Sequence, residues 1–230
     1  MTLKEFYTFL IHLLWPEHCP VCGRVGVSHC PECLSGSVSP LPPFCLECGG
    51  KYGLNCCEAS APCYAAALHE GAARDFLLAL KYHNTRDLGA PIGRLMARML
   101  PPVEADGVLP VPLHKKSRRG YNQTLLIAGG IAEERGLPIL YNTLLWNIET
   151  GTQTGKSGHE RRSLPLNAFC AAKELKGRTV ILVDDVYTTG GTLRAAKHAV
   201  ETAGGVVSAA FVWTRRVPSR ENPAAWDLEL

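Results

Sequence analysis

The sequence has no hydrophobic run long enough to span a membrane. Its first apolar stretch, residues 3–14, predicts an amphipathic helix in which Lys4, Glu5 and His12 interrupt the apolar surface, and this helix is too short to cross a bilayer. The basic start and the small-residue cleavage site of a signal peptide are also absent. The helix is compatible with contact at a membrane surface and with packing on its own domain. We therefore expect no transmembrane segment and a cytoplasmic location.

The sequence also lacks a strong excess of either positive or negative charge. The 230 residues carry a formal net charge of only +3, with 20% charged and 46% hydrophobic residues, which is typical of a globular chain and not of a disordered one. A chain of this length can form one good-sized core plus a small appendage. Residues 1–63 hold three Lys or Arg against five Asp or Glu, so the basic excess belongs to residues 64–230.

Cysteine is almost absent from residues 64–230, where Cys170 stands alone, whereas nine cysteines lie within residues 19–63. They are Cys19, Cys22, Cys30, Cys33, Cys45, Cys48, Cys56, Cys57 and Cys63. The first six form three Cys-x-x-Cys knuckles. A two-residue gap lets both thiolates face one metal ion within a tight turn, which favours closed tetrahedral zinc sites. A disulfide-linked domain and an iron–sulfur cluster are the alternatives.

We expect one or two structural zinc ions. The first two knuckles should share one ion. The third knuckle needs two further sulfurs, and we prefer Cys56 or Cys57 together with Cys63, because adjacent cysteines rarely bind one metal together. A module this small has almost no apolar core, so metal binding must supply most of its folding free energy.

Residues 180–192, V-I-L-V-D-D-V-Y-T-T-G-G-T, are the most informative run in the chain. Four apolar residues predict a short buried strand, Asp184 and Asp185 follow where it ends, and a Thr/Gly loop precedes a helix that begins near Leu193. Small residues let the backbone approach a phosphate, while N–H groups, threonine hydroxyls and the helix N-terminus attract its oxygens. The structural alternative is that the acids end a strand and Thr192 caps the helix.

This run resembles the phosphoribosyl pyrophosphate (PRPP) signature of type I phosphoribosyltransferases. The resemblance implies that Asp184 and Asp185 hold the ribose 2- and 3-hydroxyls, that the loop cradles the 5-phosphate, and that Mg²⁺ is bound with PRPP. The loop residues concerned are Thr188, Thr189, Gly190, Gly191 and Thr192. We expect both carboxylates to be exposed at the strand end.

The remainder of the chain alternates strands with helices, which predicts a parallel sheet with ligand sites at the carboxyl ends of its strands. The predicted helices are 70–83, 88–99, 125–134 and 193–203, and further strands are expected at 108–111, within 137–145, at 169–172 and at 206–213. The fold class is therefore α/β: a type I phosphoribosyltransferase-like, mostly parallel sheet flanked by helices, with a small N-terminal double zinc-ribbon-like module. We place the module in residues 1–63 and the larger domain in residues 64–230.

A basic loop follows the strand that ends at Val111. Its candidate residues are His114, Lys115, Lys116, Arg118, Arg119, Tyr121, Asn122 and Gln123. Because the loop follows a strand end, its cations can face the same sheet edge as Asp184 and pair with a pyrophosphate. They also suit single-stranded DNA, with Tyr121 stacking on an unpaired base. The alternative is a solvated basic surface.

Residues 148–162 lack apolar periodicity and are rich in glycine, which is typical of an active-site lid or of a plain connecting loop. The residues that would contact a ligand from such a lid are Gln153, Lys156 and Arg161.

The cysteine knuckles fused to this PRPP-type run resemble the ComF family, which is associated with DNA uptake in natural competence. Further matches are Lys81-Tyr82, Pro110-Val-Pro112, Arg119-Gly-Tyr121-Asn122-Gln123, Gln153-Thr-Gly, Arg161 and Phe169. Three features depart from the pattern. Lys156 stands where Leu is usual, Leu164 stands where Asn is usual, and the cysteines after Cys48 do not form the further Cys-x-x-Cys knuckle that is usual there.

The ComF resemblance implies a protein that supports DNA uptake and carries a PRPP site. Its expected partners are PRPP, single-stranded DNA and a helicase or uptake-machinery protein. The alternative is an active phosphoribosyltransferase that acts on an unidentified base or amine acceptor in nucleotide metabolism. A purely architectural role, in which the zinc module docks a partner, is a third possibility.

Overall fold

The computed structural model describes residues 17–53, 56–58, 60–113, 117, 119–147 and 164–217. Along this part of the chain the elements are α1 (Pro31–Ser35), β1 (Phe44–Cys45), β2 (Pro62–Leu68), α2 (Gly71–Tyr82), a 3₁₀ turn (Arg86–Leu88), α3 (Gly89–Met99), β3 (Gly107–Pro110), α4 (Gln123–Arg135), β4 (Leu144–Trp146), a 3₁₀ turn (Leu166–Ala168), β5 (Phe169–Ala171), β6 (Thr179–Tyr187), α5 (Gly191–Thr202) and β7 (Val206–Arg215). The predicted helix at residues 3–14 lies outside the described residues. No helix in the described ranges combines the length and the apolarity that a membrane crossing requires.

The main sheet has five strands in the order β1-β2-β7-β6-β3. The pairs β2–β7, β7–β6 and β6–β3 are parallel, and the short β1 pairs antiparallel with β2. The sheet is therefore mostly parallel, as predicted. Its parallel strands are buried along most of their length, in keeping with helices that cover both faces.

Alternation along each strand divides the core into two layers. Ile181 and Val183 of β6 face a layer that contains buried residues of α2, α3 and α4, whereas Val180 and Leu182 face a layer that contains those of α5. The cysteine-rich segment contributes to both layers: Cys19 and Leu34 join the first, and Phe44 and Leu46 join the second. This segment is thus packed into the larger domain on both sides of the sheet.

The predicted helices agree with α2, α3, α4 and α5 to within two residues at each end. The strand predicted within residues 137–145 is β4, but β4 pairs antiparallel with β5 in a separate two-stranded ribbon and does not extend the parallel sheet. Strand β2 is not predicted from sequence, because its run P-C-Y-A-A-A-L is rich in alanine, a residue depleted in strands. The boundary between residues 63 and 64 stays a prediction, and β2 runs across it.

Helices α3 and α4 make a close crossing at a pair of glycines. A β-carbon at Gly93 would lie 2.0 Å from the carbonyl oxygen of Ile127, and one at Gly130 would lie 2.1 Å from that of Ala90. The obstructing atoms belong to backbone, which cannot swing aside. The next residue in α4, Gly129, has room, because the nearest atom to its β-carbon would be Ile139 Cδ1 at 3.9 Å.

We expect Gly130→Ala to lower the free energy of unfolding by about 1 to 3 kcal/mol, because the methyl group forces the two helices apart. Gly129→Ala is the matched control and should be neutral or stabilising by up to about 1 kcal/mol, because alanine is the better helix former. Urea denaturation of both variants checks this. Equal effects of the two substitutions would contradict the close crossing.

Candidate functional site

The two adjacent carboxylates lie where β6 loses one of its neighbours. The ladder between β3 and β6 ends at Pro110 and Val183, whereas the ladder between β6 and β7 continues through Asp184 to Tyr187. Asp184 and Asp185 are thus at the strand end on the β3 side only. The expectation that both would be exposed is wrong: 9% of Asp184 and 6% of Asp185 is accessible, since β7 and the helices still cover them.

Asp185 is held by two side chains on the face of α2 and α4. Lys81 Nζ lies 2.7 Å from its Oδ1, and Gln123 Nε2 donates to its Oδ2 at 2.5 Å. Lys81 is itself largely buried, with 16% of its side chain exposed. Gln123 Oε1 is buried and has no hydrogen-bond partner among the residues described. The sequence identifies Lys81 only as a motif match and carries no signal for its role as the counter-ion of Asp185.

Asp184 lines a small cavity of about 140 Å³ at the carboxyl end of β6. Its Oδ1 accepts the N–H of Asp185 at 2.8 Å. Burial raises the pKa of Asp184 to about 7, with a further contribution from the neighbouring negative charge of Asp185. A carboxyl group poised in this way is typical of a functional site, because a ligand that brings positive charge or donor groups can restore its ionised form.

The rest of that cavity is lined by Leu164, Val186, Leu193 and the residues from the end of β6 to the start of α5, residues 187–192, which we name the phosphate loop. Gly190 is the N-cap of α5 with φ of 76°, a left-handed conformation that favours glycine. No side chain caps this helix. The structural alternative required Thr192 to cap this helix, and Thr192 does not do so. The first-turn N–H groups of α5 lack intrahelical acceptors. Thr188 and Thr189 are exposed at the rim.

The basic loop is described only in part. His114, Lys115, Lys116 and Arg118 lie outside the described residues. Asn122 is the N-cap of α4, where its side chain accepts the N–H of Thr124 at 3.0 Å. The hydroxyl of Tyr121 donates to the carbonyl of Leu80, and the Arg86 guanidinium covers one face of its ring at 4.6 Å. Tyr121 is therefore less available for stacking than its sequence position suggested.

A second, open pocket of about 470 Å³ lies beside Lys81. It is lined by Lys81, Tyr82, Asn84, Ser117, Arg119, Gly120 and Tyr121. Tyr82 is 66% exposed, and the Arg119 guanidinium lies 5.3 Å from its ring centroid. Arg119 Nη1 is buried without a hydrogen-bond partner in the described part of the chain. The pocket thus joins an exposed aromatic ring to cationic groups next to Asp185. The predicted lid residues Gln153, Lys156 and Arg161 lie outside the described residues.

The first cysteine tetrad combines the first two knuckles, as predicted. Its members are Cys19, Cys22, Cys30 and Cys33, whose sulfurs all lie within 4.8 Å of one another. The second tetrad consists of Cys45, Cys48, Cys56 and Cys57. Cys63, the ligand preferred from sequence, is not part of this cluster, because β2 holds it in register with Phe44 of β1. Both adjacent cysteines complete the second tetrad instead.

The geometry of both tetrads fits zinc. Four sulfurs at about 2.3 Å from a tetrahedral zinc ion lie about 3.8 Å apart, and the sulfurs of Cys48 and Cys56 are 3.9 Å apart. Backbone N–H groups of Cys48 and Gly50 donate to knuckle sulfurs at 3.4 Å. Burial raises the pKa of Cys45, but hydrogen bonds from Ser60 and neighbouring groups outweigh it and lower that pKa to about 6. A zinc ion held here would have a structural role, since four sulfurs leave no open position for chemistry.

Comparisons with known proteins agree with this architecture. Residues 89–229 match the model of the phosphoribosyl transferase domain family. Competence protein F of Haemophilus influenzae is 38% identical over 104 residues, a match that covers 43% of this chain and 45% of that protein. Competence protein ComFC of Streptococcus pneumoniae is 26% identical over 88% of this chain and 91% of its own length. The DNA utilization protein YhgH of Salmonella typhimurium is 29% identical over 76% of this chain and 80% of its own length.

The family model covers more than half of the chain, and the mostly parallel sheet confirms the predicted fold class. The match to ComFC covers enough of the chain to reach the cysteine-rich segment, where the two tetrads lie. The chain therefore belongs to the phosphoribosyl transferase domain family and, within it, to the ComF family.

Proposed function

We propose that this chain binds Mg²⁺–PRPP at the phosphate loop and supports the uptake of single-stranded DNA in natural competence. The observation that carries the PRPP proposal is the 140 Å³ cavity, which has the Asp184 carboxyl group on one side and the uncapped N-terminus of α5 on the other. The competence role is supported by the names of two relatives, Competence protein F and ComFC.

Each part of the cavity has a role suited to a pentose 5-phosphate. The N–H groups of the first turn of α5 and the hydroxyls of Thr188, Thr189 and Thr192 would donate to the phosphate oxygens. Asp184, on the wall of the same cavity, would accept a ribose hydroxyl. Asp185 would act from the other face of β6, where Lys81 holds it in place. The Mg²⁺ ion enters with PRPP as part of the ligand and neutralises diphosphate charge.

Asp184→Asn should weaken PRPP binding by roughly ten- to a hundred-fold, the equivalent of about 1.5 to 3 kcal/mol for a hydrogen bond to a charged group. Titration calorimetry with Mg²⁺–PRPP measures this directly. Because Asp184 ionises near pH 7, the affinity of the parent protein should rise between pH 6 and pH 8, and the variant should lack that rise.

Although Asp184→Asn should weaken PRPP binding, it should raise the thermal stability of the protein. The pKa of Asp184 is raised on folding, so the folded state keeps a proton that the unfolded chain loses, and stability falls as pH rises toward 7. Asp184→Asn should therefore raise Tm more at pH 8 than at pH 5, and should change it little only below the ordinary carboxyl pKa of 3.8, where the unfolded chain also keeps the proton. Asp75→Asn, on the exposed side of α2, is the control and should alter neither affinity nor the pH profile. Unchanged PRPP affinity in Asp184→Asn would refute the assignment. Asp185 is a poorer test, since its removal leaves Lys81 buried without its counter-ion.

For the DNA-binding part of the proposal, the supporting groups are the basic loop and the pocket beside Lys81. Arg119 and the exposed ring of Tyr82 would suit a phosphate and a stacked base, which is how single strands are bound without sequence preference. Affinity of this kind depends on counterion release and weakens steeply with salt.

Replacing Lys115, Lys116 and Arg119 by Gln should weaken binding to a single-stranded oligonucleotide and reduce the slope of log K against log salt by about 0.7 for each lost phosphate contact. Fluorescence anisotropy over a salt series measures both quantities. The matched control replaces Lys173, Lys176 and Arg178, which are exposed before the opposite end of β6. If the two triple variants behave alike, the basic loop does not bind DNA.

We further propose that each tetrad holds one zinc ion. Elemental analysis should find two zinc ions per chain in the parent protein and one in Cys57→Ala. Cys63→Ala should retain both ions, because Cys63 lies outside the second tetrad. Loss of a zinc ion from Cys63→Ala, with Cys57→Ala unaffected, would restore the ligand set preferred from sequence.

A second candidate function is transfer of the phosphoribosyl group to a base or amine acceptor. The observation that favours it is the 470 Å³ pocket, which has room for a planar base and opens beside Lys81, the partner of Asp185.

A further inference from the structure

The Cys45–Cys48 knuckle of the second tetrad is hydrogen-bonded to the phosphate loop and to the elements on either side of that loop. Three carbonyl groups of the knuckle, residues 45–50, accept hydrogen bonds from that side of the domain. The bonds are Tyr187 Oη to Leu46 O at 3.3 Å, Arg194 Nη1 to Glu47 O at 2.8 Å, and Arg215 Nη2 to Gly49 O at 2.6 Å. All three acceptors lie at or between the cysteines of one knuckle or directly after them, so their positions depend on how the sulfurs are held.

Arg194 makes the shortest connection between the two sites. Its Nη1 also donates to the carbonyl of Thr189, at 2.8 Å, so one nitrogen bridges the knuckle and the phosphate loop. Gly190 is packed against this bridge: a β-carbon there would lie 2.9 Å from Arg194 Nη1 and 2.6 Å from Tyr187 Oη. The left-handed turn that starts α5 is thus shaped by side chains that are anchored on the knuckle.

Glu47 adds a second attachment through its side chain. Its carboxylate lies 3.2 Å from Lys197 Nζ on α5, and Glu201 pairs with the same ammonium group at 2.9 Å. Lys197 is buried, whereas the side chains of Glu47 and Glu201 are partly exposed, so only the ammonium end of this ion pair is shielded from solvent. The main chain and the side chain of Glu47 therefore both attach the knuckle to the first turns of the helix whose N-terminus faces the phosphate cavity.

The first tetrad has a different environment. Cys19 and Cys30 belong to the core layer on the opposite side of the sheet, and Ser28 donates to Asp87 near the 3₁₀ turn before α3. It therefore offers a matched metal site whose loss leaves the Arg194 bridge intact.

We propose that the second tetrad, when it holds its metal ion, positions the phosphate loop through Arg194, so that zinc and a sugar phosphate bind cooperatively. Arg194 is a positioning residue here: it contacts the loop backbone and the knuckle, and the ligand contacts the loop. The inference rests on the proposed PRPP site and on zinc binding. Loss of the metal frees the knuckle carbonyls, so the turn at Gly190 loses the contacts that hold its N–H groups toward the cavity.

Cooperativity between two ligands is reciprocal, and this makes the inference testable from both sides. If zinc in the second tetrad strengthens sugar-phosphate binding by a given factor, the sugar phosphate must strengthen zinc binding by the same factor. Couplings between sites in one domain typically amount to about 5- to 150-fold.

The first experiment compares single zinc losses. Binding of ribose 5-phosphate is measured by calorimetry for the parent protein, for Cys57→Ala and for Cys22→Ala, with zinc content and circular dichroism recorded on the same samples. We expect Cys57→Ala to lose about five-fold or more in affinity and Cys22→Ala to retain the parent value. Equal affinities in the two folded, one-zinc variants would overturn the inference.

The second experiment keeps both zinc ions and removes only the bridge. In the parent protein, ribose 5-phosphate should slow the transfer of one of the two zinc ions to a chromogenic chelator by about five-fold or more. Arg194→Met keeps the aliphatic stem and should abolish this protection, whereas Arg178→Met, an exposed arginine before the other end of β6, should preserve it. Arg194→Lys keeps the positive charge without reaching both carbonyls. If the charge alone mattered to the ligand, this variant would recover the affinity for ribose 5-phosphate that Arg194→Met loses, but it would not recover the protection of zinc.

The failures are distinguishable. If the zinc-loaded parent protein does not bind ribose 5-phosphate at all, the proposed PRPP site is wrong and the inference falls with it. If ribose 5-phosphate binds but protects neither zinc ion, or still protects zinc in Arg194→Met, the PRPP site stands and the coupling through Arg194 is refuted.

Discussion

The β6 strand is paired on both sides up to Val183 and on one side only from Asp184 to Tyr187, and the candidate site follows from this one-sided extension. Where β3 stops, β6 has no neighbour on that side and a ligand can approach it, while β7 still holds the strand straight. Polar residues become tolerable there because donors from α2 and α4 can reach them. A fully paired strand would have buried the two carboxylates without partners, and a strand that ended at Val183 would have left them on a mobile loop.

The two carboxylates are stabilised differently, and this difference distinguishes a carboxylate that is held within the fold from one that is available to a ligand. Asp185 has a cation and an amide on its two oxygens, so its charge is compensated within the fold. Burial raises the pKa of Asp184 to about 7, although the N–H of Asp185, the charge of Lys81 and a hydrogen bond with the Thr124 side chain act in the opposite direction. A buried carboxyl group whose charge is only partly compensated costs stability once it ionises, and a protein retains such a group where a ligand supplies further partners. The cavity that Asp184 lines is where those partners would be supplied.

Much of this arrangement was predictable from sequence because strong local signals coincide. Helical periodicity placed α2 to α5 within two residues, and the order of apolar strand, acids and Thr/Gly loop predicted the candidate site at the end of β6. The burial of Asp184 and Asp185 was not predictable, because it depends on Lys81 and Gln123, which are 104 and 62 residues away from Asp185 in the chain. Cys63 lies outside the second tetrad for a related reason: spacing shows which cysteines can share a metal, but strand pairing with Phe44 decides where this one lies.

The cysteine-rich segment is better understood as part of the domain than as an appendage. The first tetrad packs with the core layer of α2, and the knuckle of the second tetrad packs with the layer of α5, on opposite faces of one sheet. Between them, β1 pairs with β2 and extends that sheet by a strand. This segment donates a strand and three carbonyl acceptors to its neighbour, so a change in the proposed metal binding would reach the elements that it touches. Because the turn at Gly190 is one of those elements, the proposed metal centre would act on the cavity beside that turn.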